Sequence, residues 1–200
     1  MQTPSRTTEL EAVNVCLSLM GQTPVSSLVA PYGADVANAR TLITEESKNL
    51  QADGWKFNKW REVTLAREVG TNKIPVANNV VSVDADTDSA VDVIFKAGYL
   101  YDLKNNTDVF DHDVVAEIKY YFAFDELPET ARRFIMISAA RKFQVRYLGS
   151  ENQEAFTQRD ESRAWTTFLH DQAEQQDANI LNGPDQAYIA RRWGRRRYSW

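Results

Sequence analysis

The sequence predicts an α+β fold: a discontinuous helical bundle domain, residues 1–54 with 126–200, carrying an inserted antiparallel β-rich domain at 55–125. Three observations predict it. Apolar residues recur at helical spacing as far as Gly54, alternate from Trp55 onward, and return to helical spacing at Leu127. The segments between are short, β-branched and divided by turn residues, which points to an antiparallel sheet rather than to βαβ units. Nothing repeats at a solenoid period.

The elements follow in order. Thr8-Glu9-Leu10-Glu11 fits a capping box, and Leu10, Val13, Leu17 and Met20 continue at helical spacing to a stop at Gly21. Gln22-Thr23-Pro24-Val25 reads as an exit loop. A second helix is expected from Asp35 as N-cap, with Val36, Ala39, Ile43 and Leu50 as its stripe and Gly54 as its end. Trp55 and Phe57, alternating with Lys56 and Asn58, read as a strand. Further strands are expected at Val63–Leu65, Val80–Val83, Val91–Lys96, Gly98–Asp102 and Val114–Ile118. Ile74-Pro75-Val76 suits an edge, because proline cannot donate to a ladder. Leu127-Pro128-Glu129 opens a helix that is apolar on nearly every side from Ala131 to Leu148, the mark of a central element. Ser150-Glu151-Asn152-Gln153 reads as a second capping box, leading into a long polar helix that ends before Asn182-Gly183-Pro184.

Composition removes whole classes of function. A single cysteine, Cys16, excludes an internal disulfide framework and a cysteine-rich zinc site; two histidines, His112 and His170, argue against a His-rich metal centre. No metal or cofactor is expected. The chain has no apolar run of membrane-spanning length, and its first residues lack the apolar stretch of a signal peptide. A reducing cytoplasm, or something assembled there, is the expected compartment. Residues 1–190 carry 18 basic against 28 acidic residues, a net −10, which disfavours general nucleic-acid binding.

The candidate chemical constellations are each weak. Asp84-Ala85-Asp86-Thr87-Asp88-Ser89 opens like a calcium loop, but the sixth position is Ser89 where glycine is needed and the twelfth is Phe95 where a glutamate is needed. Asp111-His112-Asp113 reads as a solvated turn. Glu45-Glu46 and Asp125-Glu126, with Glu129 behind, are adjacent acids, and neighbours on one element cannot flank a glycosidic bond. Cys16 reads as a small buried hydrophobe. No nucleophile-elbow, phosphate-loop or dinucleotide fingerprint occurs, so no catalytic residue is assigned.

The last ten residues are chemically distinct. Arg191, Arg192, Trp193, Arg195, Arg196, Arg197, Tyr198 and Trp200 combine five cations with three aromatics and no acid. Forked arginine–carboxylate pairs and tryptophan anchors suit an acidic protein surface. Phosphate pairing and base stacking would suit nucleic acid instead, and a disordered solubilising end is a third reading.

The order of several short blocks resembles the tail tubular protein A family of short-tailed bacteriophages. Those blocks are Glu9-Leu10, Val13-Asn14, Leu17, Gly21, Pro24-Val25 and Leu28; Asp35 to Arg40; Gln51 with Gly54-Trp55-Lys56-Phe57-Asn58; Leu100-Tyr101-Asp102; Phe124 to Glu129; and Ala139 to Phe143. The resemblance covers roughly residues 8–160, and the Arg/Trp ending departs from it. It implies a virion tail protein, assembled in the host cytoplasm: a head-to-tail adaptor forming a dodecameric ring between the portal protein and a tubular-protein-B-like nozzle. It further implies a channel through which DNA passes without specific binding. A surface-glycan hydrolase, or a DNA-binding module using the basic tail, are the alternatives from other classes.

Overall fold

The computed structural model describes residues 5–85, 91–148 and 151–175. Among the described residues four α-helices, α1 (Glu9–Leu19), α2 (Ala34–Ala52), α3 (Glu129–Leu148) and α4 (Glu151–Gln175), bracket five strands: β1 (Lys59–Leu65), β2 (Val80–Ala85), β3 (Val93–Lys96), β4 (Tyr99–Asp102) and β5 (Val114–Tyr120). All strand pairing is antiparallel. One sheet has the order β1-β5-β2, and β3 and β4 form a separate hairpin.

Local sequence explains the helix ends. The Thr8 side chain accepts from the Glu11 N–H, and the Glu11 carboxylate accepts from the Thr8 N–H, so the capping box forms. At the other end of α1, Gly21 adopts φ +70°. Its N–H bonds the Ser18 carbonyl and the Gln22 N–H bonds the Leu17 carbonyl, the paired closure that a left-handed residue permits. The α2 cap differs from expectation. Gly33 is the N-cap and Asp35 lies in the first turn, where its charge meets the positive helix end.

Apolar burial divides into two clusters. Ala12, Leu17, Leu42, Ile43, Ile135, Phe143 and Phe168 belong to the first, built from all four helices. Ile74, Val83, Leu100, Phe110, Val114 and Ile118 belong to the second, between the sheet and the hairpin. The central position expected of the all-round apolar helix is observed: α3 packs against α1, α2 and α4.

The expected strand at Trp55–Asn58 is a turn. Both aromatic rings point back to the helices, Trp55 lying 4.7 Å from the Phe168 ring and Phe57 6.5 Å from it. The alternation came from a turn that puts every second side chain on the helical core, and strand pairing starts at Lys59. Gly54 starts this turn at φ +80°, where a Cβ would stand 2.6 Å from Lys119 Cε. The Ser150 capping box and the Asn182-Gly183-Pro184 stop lie outside the described residues.

Candidate partner interface

The two places where the chain passes between the clusters are fastened together. Gln51, buried at the end of α2, donates to the Phe122 carbonyl (3.1 Å) and accepts from the Phe122 N–H (2.7 Å). Asn58, fully buried, donates to the Gln51 carbonyl (2.8 Å) and the Tyr120 carbonyl (2.9 Å), and accepts from the Trp55 N–H (2.7 Å). Two side-chain amides thus tie the outgoing segment to the returning one. A buried amide leaves costly orphan groups unless all its partners are present, so this arrangement fixes one geometry. Trp60, half exposed, lies over Tyr120 (4.9 Å between rings) and Phe122 beside the same junction.

The acidic pairs all have structural partners. Buried Glu46 accepts from Ser138 (2.8 Å) and pairs with Lys142, joining α2 to α3, while Glu45 faces Arg146 at 3.8 Å. Asp125 accepts from the Glu9 N–H, and Glu126 caps the Ala123 N–H. Glu129 accepts from both the N–H and the hydroxyl of Thr7. Buried Arg132 donates to the carbonyls of Leu127, Thr7 and Asp125. Burial pushes the Cys16 thiol up to about 12, which keeps it protonated and unreactive.

Asp111 and His112 pair with one another on the surface, and that bond lowers the Asp111 pKa. Asp84 and Ala85 are the last two residues of β2, but the rest of the calcium-like stretch, 86–89, lies outside the described residues. Among the described residues no group of three potential metal ligands comes together, and no helix is long and apolar enough to cross a membrane. The expected partner-binding residues Arg191, Arg192, Trp193, Arg195, Arg196, Arg197, Tyr198 and Trp200 also lie outside the described residues.

Two surface features were not anticipated. One is a trough of about 440 Å³ walled by α1 and α4 and floored by α3, with arginines on its rim. The other is the loop between α1 and α2, whose Val29 is 79% exposed. Sequence carries only a faint signal for either. The α3 positions 133, 137 and 140 share a helical face, and Val29-Ala30-Pro31-Tyr32 is apolar for a loop.

The family model described as tail tubular protein matches residues 10–178, which takes in both apolar clusters. A tail tubular protein A from Klebsiella phage KP34 is 29% identical over 148 residues, covering 74% of this chain and 77% of the relative.

Proposed function

From the premise that this chain belongs to the tail tubular protein family and is a structural component of a phage tail, we propose that it is a head-to-tail adaptor without catalytic chemistry. In this reading it forms a ring that joins the portal protein to the tail nozzle and leaves a channel for DNA ejection. The observation that carries the proposal is the family match across residues 10–178, and within the fold Glu46 and Glu129 serve as hydrogen-bonded parts of the frame. An acidic body also suits a DNA channel, since like charge disfavours adhesion to the phosphates. Two domains, 1–54 with 126–200 and 55–125, would offer one surface to each neighbour, as each region has its own apolar cluster.

The segment 191–200 is proposed to dock on the portal through its arginines and aromatics. Repeated around a ring, weak individual contacts would add through avidity. The test is mass measurement of the purified chain with portal, before and after removal of residues 191–200. Retained folding with weakened portal attachment is expected. Undiminished attachment would refute the tail's role, and glycan cleavage abolished by Glu46→Gln or Asp125→Asn in a folded protein would refute the absence of catalysis.

A further inference from the structure

Helix α4 is seated on α3 along one stripe at helical spacing: Glu161, Trp165, Phe168 and Gln172. The first three have their matches. Glu161 pairs with Arg141 of α3 (2.6 Å), Trp165 packs on Phe134 (4.9 Å between rings), and Phe168 is fully buried against Trp55 (4.7 Å) and Phe134 (6.4 Å). The fourth has none. Gln172 is 2% exposed, and neither its amide nitrogen nor its amide oxygen has a hydrogen-bond partner among the described residues. An amide shut away from water without partners opposes the packing that buries it.

The same end of the helix gains little elsewhere. Beyond Phe168, Leu169, His170, Ala173, Glu174 and Gln175 are exposed, Asp171 is half-buried, and Gln172 alone is buried. Among the described residues its side-chain tie to α3 is the Thr130 hydroxyl donating to Asp171 (2.6 Å). Just before it, Ser162, Thr166 and Thr167 turn their hydroxyls back onto the carbonyls of Gln158, Ser162 and Arg163, a pattern that slightly weakens a helix. Apolar gain thus stops at Phe168, and an uncompensated polar cost enters one turn later.

We infer that Leu169 to Gln175 is a hinged flap, opening and closing on α3 as one unit while the aromatic cluster at Trp165 and Phe168 stays shut. Opening gives the Gln172 amide to water and gives up the Thr130–Asp171 bond, and it wets little apolar surface. The seated and open states therefore lie close in free energy. Anything that binds the open form better draws the flap off its seat. The device stands apart from the ring and portal contacts proposed above.

Amide hydrogen exchange in the free full-length chain tests it. The amides of 171–175 should share one opening constant, larger than that of amides at the centre of α3. Gln172→Met replaces the amide with an unbranched apolar side chain, so exchange at 171–175 should slow by about tenfold. Thr130→Val removes the bond to Asp171 and should speed the same amides by about threefold or more. Protection that rises residue by residue from Gln175 inward is ordinary fraying and overturns the flap. So does exchange at 171–175 as slow as in the α3 core, since the end then opens only with the whole fold. If Gln172→Met leaves these amides unchanged or speeds them, the buried amide carries no cost in its seat, a bridging water being one reason, and the flap is overturned again. Exchange there that Thr130→Val leaves untouched overturns it as well.

Discussion

The helical region and the β-rich region are held together in different ways. The β-rich region is one continuous stretch of chain, and its three-stranded sheet is aligned by ladder hydrogen bonds over a small β-branched core. Its ion pairs sit outside that core: Glu117 bonds Lys59 at 2.7 Å and Arg61 at 3.2 Å from the sheet surface. The helical region is assembled from two stretches with the whole insertion between them. Several of its hydrogen bonds are wholly or partly buried, and they join residues far apart: Thr7 with Glu129, Thr7 with Arg132, Glu46 with Ser138 and Lys142, Gln51 with Phe122. Directional hydrogen bonds with all their partners in place favour one register of the helices over its neighbours. The difference teaches that a discontinuous body needs specific polar fastenings where a continuous sheet has its ladder.

The largest expected effect breaks one core at a time. Phe143 and Ile118 are both fully buried, one in each cluster. Phe143→Ala should destabilise by about 3–5 kcal/mol and Ile118→Ala by about 2–5 kcal/mol, through lost transfer energy and a residual cavity. Denaturant unfolding followed by tryptophan fluorescence checks this, because Trp55 and Trp165 report on the helical cluster. If Phe143→Ala leaves the tryptophan transition in place, the helical core does not depend on that ring.

A smaller effect sharpens the comparison at its seam. Asn58→Ala removes the partners of the Trp55 N–H and of the Gln51 and Tyr120 carbonyls, all part of the buried junction. A loss of about 1–3 kcal/mol is expected from the orphaned groups. The variant should also show faster amide exchange at 53–58 and 120–123 while exchange deep in α3 and β5 is unchanged. Uniformly faster exchange throughout would mean that Asn58 supports global stability and not the seam.

What was legible in the sequence follows the same division between local and distant. The Thr8 box, the Gly21 stop and the all-round apolarity of α3 are written within a few turns of chain, and each is realised. The Trp55–Asn58 alternation misled because a four-residue pattern cannot distinguish a strand from a turn facing a core, and the deciding partner is Asn58's bond to Tyr120, 62 residues away. Asp35 looked like a cap because its side chain favours that role, but the backbone placed Gly33 there. Glu46 looked like half of an acidic pair. Its pairing with Lys142, 96 residues on, leaves no local trace in sequence. The trough and the exposed α1–α2 loop were missed for a related reason: exposure of an apolar residue is a property of the packed helices, not of its neighbours in the chain.

The smallest expected effect is local and depends on pH. Asp102 closes β4, and its carboxylate accepts from the Asp92 N–H (3.2 Å), the Lys104 N–H (2.9 Å) and the Asn105 side chain (2.6 Å). Burial raises its pKa, but the hydrogen bonds from Asn105, Asp92 and Lys104 outweigh it, so the net shift is downward. A carboxyl with a folded pKa below its unfolded value stabilises the fold fully above the unfolded value, about 3.9 for aspartate, and that contribution is lost as pH falls through the folded value. Between neutral pH and about 5 the hairpin should therefore be insensitive to acid. Below about 4 the amides of Asp92 and Lys104 should exchange faster relative to the pH-corrected intrinsic rate, ahead of those in α3. Asp102→Asn tests the cause, because the amide still accepts hydrogen bonds but does not titrate in this range. The acid-induced change at these two amides should disappear in that variant. If it persists unchanged, some other group loosens the hairpin.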